Sequence, residues 1–277
     1  MTGFSAEWLR LREPADLRAR NTGIADAVAA RFALRDSLSV VDLGCGTGSN
    51  LRATAPLLPL LQSWTLVDRD EALLDAARNE LCAWADRASR DGPTLQLHKG
   101  RATIDVTFLA CDLAHDLERA LAGRPQLVTA SALFDLVSAP FIRKLGKAIA
   151  AQRAALYAVL TYNGVQRWSP HRPSDNQMSG AFHQHQLRDK GFGPAAGPMA
   201  PDLLADQLRL EGYTVLEGDS PWRLSRGDRM LIEELARGTA MAVADTGTVD
   251  TKVIEAWIKC ARTAADVGHT DTFGAPP

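Results

Sequence analysis

Apolar positions along this chain keep two rhythms. Over residues 5–33, Trp8, Leu9, Leu11, Leu17, Ile24, Val28 and Phe32 return at roughly helical spacing, with Arg and Glu between them. Pro14 predicts a division of this stretch into two helices. SLSVVDLG (37–44) then reads as a buried strand, because it is short, apolar, β-branched and closed by glycine. Residues 50–61 begin as a helix that Pro56 and Pro59 interrupt, and SWTLVDRD (63–70) is a second strand ending in acid. The pattern continues with an amphipathic helix over 71–89, a third strand over 103–113 and a short helix over 117–124. A fourth strand over 125–138 runs into a loop, and a helix over 139–153 leads to a fifth strand, AALYAVLTY (154–162).

Strands and helices alternating at this pace predict right-handed βαβ units around a parallel sheet. The strands are apolar nearly throughout, as expected where helices cover both sheet faces. Ligands of such sheets bind at the carboxyl ends of the strands, near the topological switch point. The residues expected there are Asp42, Asp68, Asp112 and the stretch Ser131–Asp135.

After Tyr162 the rhythm changes. Residues 163–200 are polar, carry Trp168, His171, His183 and His185, and include GFGPAAGP (191–198). A helix is predicted over about 175–189. A connection of this length inside a compact domain points to function, so 163–200 is a candidate lid or acceptor wall. A helix over 201–213 starts with Pro and ends near Gly. A sixth strand (213–224), helices over 226–245 and 248–265, and a last edge strand over 267–276 complete the chain. The whole reads as one domain over 1–277: N-terminal helices (1–36), a ligand-binding core (37–162), the 163–200 segment and a helical insertion (226–265).

Composition narrows the function classes. The 277 residues are 46% hydrophobic and 23% charged, with a formal net charge of −2, which disfavours a general nucleic-acid binder. No apolar run approaches the roughly 18 residues of a membrane span, and the acid-bearing start does not read as a secretory leader, so a cytoplasmic location is expected. Cys45, Cys82, Cys111 and Cys260 are scattered without a CxxC pair, so neither a metal site nor a disulfide framework is indicated.

The sharpest local feature is VVDLGCGTGSN (40–50). Gly44, Gly46 and Gly48 alternate between a strand and a helix, where glycine permits close approach to the main chain. A dinucleotide loop has the spacing G-x-G-x-x-G; this one is G-x-G-x-G, with Asp42 two residues before the first glycine. An acid there repels a pyrophosphate and suits a cationic ligand. Cys45, inside the loop, is a space-filling residue at the ligand rather than a nucleophile, since no His follows at a recognisable position. Asn50 either supports the loop or meets the ligand.

VVDLGCGTGSN resembles motif I of the class I S-adenosylmethionine-dependent methyltransferases. The resemblance covers about residues 37–162 and includes the ends of four strands in order. It implies a Rossmann-like doubly wound sheet of seven mostly parallel strands in the order 3-2-1-4-5-7-6, with S-adenosyl-L-methionine as cofactor. It implies that Asp68 binds the ribose hydroxyls, that Arg69 and Asp70 flank the adenine, and that Asp112 and the backbone at Leu113 read it. ACDL (110–113) and SALFDLVS (131–138) are similar to the family's third and fourth strand-end motifs, which brings Ser131 to the cofactor and Phe134 and Asp135 to the acceptor. The chain also resembles a group of bacterial small-molecule methyltransferases, which implies no particular acceptor. The Asn-Pro-Pro-Tyr signature for planar amino nitrogens is absent.

Candidate catalytic residues are Asp135, His183 and His185; a neutral His can take a proton from an alcohol or phenol. Tyr162 and Trp168 are candidate acceptor contacts, and Trp8 and Trp222 are candidate stacking residues. Arg167, Arg172, Arg188 and Lys190 make an anionic or aromatic small molecule a fitting acceptor. Arg12 and Glu13 are expected to fold over the cofactor, as N-terminal helices do in the family. The expected reaction is a metal-independent in-line displacement onto an O, N or acidic C nucleophile. The rival readings are a non-catalytic S-adenosylmethionine-binding subunit or sensor, an RNA methyltransferase, and an NAD(P)-dependent oxidoreductase. The oxidoreductase lacks both its glycine spacing and a Tyr-x-x-x-Lys set.

Overall fold

In the computed structural model, which describes residues 4–277, the N-terminal pattern forms α1 (Ala6–Ala19) and α2 (Thr22–Phe32). The break lies at Arg20–Asn21, not at Pro14, which sits inside α1. Proline there leaves the Arg10 carbonyl without its helical partner, a cost of about 3 kcal/mol in an unsupported helix. Four ion pairs along α1 hold it: Arg10 to Glu80, Arg12 to Asp16, Glu13 to Arg52 and Arg18 to Asp228. Asn21, rather than proline, sets the boundary, its side chain accepting from Ile24 N at 3.1 Å.

The alternating core follows as β1 (Ser37–Leu43), α3 (Ser49–Thr54), β2 (Leu61–Asp68) and α4 (Glu71–Trp84). The predicted helix over 71–89 therefore ends early. Its last residues enter a hairpin, β3 (Arg87–Asp91) and β4 (Thr94–Lys99), which feeds β5 (Ala102–Ala110). Then come α5 (Leu117–Ala120), β6 (Leu127–Ser131), α6 (Ala139–Gln152) and β7 (Ala155–Ser169). The last part comprises α7 (Asp175–Gln186), α8 (Ala200–Leu210), β8 (Thr214–Asp219), β9 (Trp222–Leu224), α9 (Arg229–Thr246), α10 (Thr251–Ile258) and β10 (Ala264–Ala275).

Among the described residues, ten strands form one sheet in the order β3-β4-β5-β2-β1-β6-β7-β10-β8, with β9 added beside β10. The expectation of seven strands is thus corrected to ten. Without the β3–β4 hairpin and β9, the remaining seven keep the order 3-2-1-4-5-7-6. β5, β2, β1, β6 and β7 run parallel, while β10 is antiparallel to both its neighbours. β10 is an interior strand, not the edge strand the alternation predicted.

Alternate residues of β1 face opposite layers. Val41 and Leu43 pack with Val128, Ile142, Leu145 and Leu204 on one face. Leu38 and Val40 pack with Val28, Phe32, Leu66 and Leu81 on the other. A third, aromatic cluster holds Tyr162, Trp168, Trp222 and Trp257 where β7 outgrows the parallel core. β7 reaches Ser169, so residues 163–169 are strand and not lid. Its pairing with β10 shifts register between Thr270 and Thr272, and Leu160 there has φ 56°. The Leu160 N–H donates to Asp271 Oδ1 at 2.8 Å, satisfying a buried donor the bulge releases. Asp271 Oδ2 accepts from Asn21 N at 2.9 Å and so ties the α1–α2 junction to the sheet. Among the described residues, no helix is long and apolar enough to cross a membrane.

Candidate active site

The strand ends converge through backbone pairing. Cys45 N donates to Val67 O, Cys111 N to Asp68 O and Ala132 N to Val159 O, each at 2.9 Å. The loops after β1, β2, β5 and β6 therefore leave one edge of the sheet together. Gly44, Gly46 and Gly48 have φ of 66°, 53° and 75°, the left-handed region in which side chains are strained. A Cβ on Gly44 would stand 3.2 Å from Leu133 Cδ1, and one on Gly46 would stand 2.9 Å from Leu9 Cδ1. The loop is thus approached from α1 and from the turn after β6. Ala132 at φ 51° makes that turn and brings Leu133 over Gly44.

Asp42 is fully buried. Asn50 Nδ2 donates to its Oδ1 at 2.7 Å, whereas its Oδ2 has no partner among the described residues. Burial foremost pushes its carboxyl up to about 7; the Asn50 hydrogen bond and the Arg20 charge oppose the rise and Asp68 adds to it. Asn50 Nδ2 also donates to Thr129 Oγ1 at 3.0 Å, and Asn50 Oδ1 accepts from Arg20 at 2.6 Å. Asn50 therefore has partners for both its carbonyl and its amino group inside the protein, on the supporting side of the loop. Cys45 is buried, and burial pushes its thiol up, away from nucleophilic use.

Asp68 accepts from Gly46 N at 2.9 Å through Oδ2 and from Asp70 N at 3.0 Å through Oδ1. Burial raises its carboxyl, opposed by these N–H donors. Each oxygen keeps a lone pair for a further donor. Asp70 is spent as the cap of α4, accepting from Ala72 N at 2.9 Å. Arg69 is exposed, with its guanidinium against Gly191. Asp112 is exposed and accepts from Ala114 N at 3.0 Å and pairs with His115 at 3.1 Å, while Leu113 is buried in the core. Ser131 lines a cavity of about 180 Å³ together with Glu13, Arg20, Ser49 and Arg52. That is below the roughly 300 Å³ of small ligand clefts. Glu13 closes its outer side through a bidentate pair with Arg52 (2.8 and 2.5 Å), and Arg52 also donates to Thr47 O at 2.9 Å.

Asp135 is buried with Oδ1 unpaired. Burial pushes its carboxyl up to about 6, against its own and the Tyr162 backbone N–H and the charges of Arg12 and Lys190. Tyr162 lies beside it, its phenol raised by burial and by Asp135. The Tyr162 hydroxyl is 3.0 Å from His183 Nε2. His269, missed in the sequence, packs against the Tyr162 ring at 6.3 Å and Trp222 at 5.3 Å. Its Nδ1 is buried and unpaired, and burial, then the Arg12 charge, lower its pKa to about 3. Arg12 itself is held by Asp16 at 2.9 and 3.1 Å, over the Trp222 ring at 5.0 Å, and Trp222 Nε1 donates to Asp16 at 2.9 Å.

Three candidates stand apart from this cluster. Phe134 is fully buried under α6 in the core. Trp168 lies nine residues beyond Val159, about 30 Å along β7, and packs edge-on to Trp257 at 5.2 Å. His185, two residues from His183 and so on another face of α7, meets Asp245 at 3.4 Å and Lys190 at 3.3 Å. Burial, then Lys190 and Arg188, lower its pKa. The segment after α7 is fastened to the β6 loop: Ala196 N donates to Val137 O at 2.7 Å and Gly197 N to Asp135 O at 3.0 Å.

Sequence reasoning missed Arg20, Thr129, Leu133 and His269. Thr129 left a faint signal as the one polar residue inside the apolar run of β6.

No family model and no curated protein matches the chain. Solved structures do. The chain is similar to a cyclopropane-fatty-acyl-phospholipid synthase-like protein from Lactobacillus casei, with TM-score 0.56 and 17% identity over 99% of this chain and 95% of that one. It is also similar to a cyclopropane synthase from Mycobacterium tuberculosis, with TM-score 0.53 and 11% identity over 98% and 94%. A mycolic acid cyclopropane synthase complexed with SAH superposes with TM-score 0.51 and 10% identity over 98% and 94%. The chain has the class I S-adenosylmethionine-dependent methyltransferase fold.

Proposed function

We propose that this chain is an S-adenosylmethionine-dependent methyltransferase acting on a small-molecule acceptor with a protic nucleophile. The observation that carries the reading is the β1–β2 edge. There, three positive-φ glycines lie between a buried acid with a free oxygen, Asp42, and a second acid with spare lone pairs, Asp68. Those groups fit the cofactor: Asp68 accepts the ribose hydroxyls, and Asp42 Oδ2 faces the amino end of the methionine. Arg69, Asp112 and the Leu113 backbone flank the adenine, and Ser131 closes the methionine side. Cys45 fills space in the loop. The cofactor, when bound, supplies a methyl group on a sulfonium leaving group.

The chain's residues then align, exclude water and take the proton. Leu9 and Leu133 cover the loop. Asp135 accepts the acceptor's proton, with the Tyr162–His183 pair beside it. All three of these solved neighbours are named for cyclopropane synthesis, one of them on a fatty-acyl-phospholipid. The buried acid and phenol, with the half-buried His183 imidazole beside them, favour an O–H or N–H acceptor over an alkene chain. Calorimetry of the full chain with S-adenosylmethionine, S-adenosylhomocysteine and NADH tests the reading. Binding of the first two without NADH is expected; binding of NADH alone, or of none, overturns it.

A further inference from the structure

Arg20 is the first residue past α1, and nothing in the glycine motif points to it. Its guanidinium nevertheless reaches under the loop. It donates to Asn50 Oδ1 at 2.6 Å and to Thr54 Oγ1 at 3.1 Å. Asn50 passes the contact on, because its amide donates to Asp42 Oδ1 at 2.7 Å and to Thr129 Oγ1 at 3.0 Å. Thr129 in turn donates to Tyr157 O at 2.7 Å, which leaves its oxygen free to accept from Asn50. The chain of donors runs one way and ends on the acid whose other oxygen is buried and unpaired.

We infer that Arg20 is a positioning residue of the cofactor site, its guanidinium fixing Asn50 and, through Asn50, the orientation and charge of Asp42. The inference rests on the methyltransferase reading and deepens it. A carboxylate out of water is costly unless charge and hydrogen bonds compensate. The groups that face Asp42 are Asn50 from α3, Thr129 from β6, Asp68 from β2, Arg20 from the end of α1 and the buried, neutral thiol of Cys45 from the glycine loop. Arg20 is the only cation among them, and Asp68 opposes it. Without Arg20, Asp42 keeps its proton to higher pH, and a protonated carboxyl no longer complements the cofactor's ammonium.

The test is the pH dependence of S-adenosylhomocysteine affinity, measured by calorimetry from about pH 5.5 to 9 on the full chain. In the wild type, affinity rises with pH as Asp42 ionises. Arg20→Gln keeps a donor for Asn50 and removes the charge, so the midpoint is expected to move up by about one pH unit. Arg20→Lys keeps the charge but cannot span Asn50 and Thr54, so the wild-type midpoint is expected with weaker binding throughout. A merely structural role would lower affinity in Arg20→Gln at every pH and leave the midpoint in place, which overturns the inference. A flat wild-type profile also overturns it. No binding by the wild type at any pH overturns the cofactor reading itself, and that result is distinct from an unmoved midpoint. If Arg20→Gln does not fold, a displaced midpoint in Arg20→Lys overturns the charge role and a retained one upholds it.

Discussion

Asp42 lies at the end of β1 and Asp135 in the loop that follows the neighbouring parallel strand β6, and both are buried with one carboxylate oxygen unpaired among the described residues. Their surroundings differ. Asp42 is gripped by a short hydrogen bond from Asn50, itself fixed by Arg20 and Thr129. Among the described residues Asp135 has no side-chain donor in reach; backbone N–H groups and the charges of Arg12 and Lys190 stabilise it beside the Tyr162 ring. A carboxylate clamped by a fixed amide keeps its orientation. One held by more distant charges exchanges a proton more readily. The difference assigns ligand orientation to the β1 end and proton exchange to the β6 end.

The largest effect expected is at the loop of the first acid. Gly46→Ala adds a Cβ 2.9 Å from Leu9 in a left-handed residue. It should cost about 1–2 kcal/mol in stability. Calorimetry should show cofactor affinity about 100-fold weaker, equivalent to about 2.8 kcal/mol. Unchanged binding would break the assignment of that end.

Next comes the pH dependence of stability. Each acid's pKa is raised in the folded state, to about 7 for Asp42 and about 6 for Asp135. The folded form therefore holds protons that the unfolded chain releases near pH 4. The stabilising contribution is complete below that pH and is lost as pH rises through the folded values. Asp42→Asn should remove a fall of up to about 4 kcal/mol between pH 4 and 7, and Asp135→Asn about 3 kcal/mol between pH 4 and 6. Urea unfolding across that window reads both. Equal slopes in wild type and variants would contradict the burial argument.

Much of the first acid's setting was legible in sequence, and less of the second's. Asp42, Asp68 and the glycines are announced by apolar runs that stop at an acid or a glycine, which is local information. The continuation of β7 through Asn163, Gly164 and Gln166 is not apolar, so it read as lid. The hairpin strand Arg87–Asp91 is wholly exposed and carries no apolar alternation. Pro14 misled because ion pairs with residues up to 210 positions away hold α1 together across it. Arg20 and His269 reach their sites across the fold, from 30 residues before Asn50 and from an interior strand at the far end of the chain. No local pattern encodes such contacts.

Smaller effects sharpen the second end. Tyr162→Phe removes the hydroxyl that meets His183 and should lower turnover about tenfold with cofactor affinity unchanged, once an acceptor is identified. In the wild type, turnover should fall as pH drops through about 6, when Asp135 takes up its proton. The smallest effect concerns access. Glu13→Gln loosens the pair with Arg52 over the cavity and should speed cofactor association about threefold in stopped flow.

The most direct test of the division between the two strand ends is a side-by-side calorimetric titration of S-adenosylmethionine into wild type, Asp42→Asn and Asp135→Asn. Asp42→Asn should bind about tenfold more weakly, whereas Asp135→Asn should bind as the wild type does. Equal loss in both variants, or full binding by Asp42→Asn, would contradict the division.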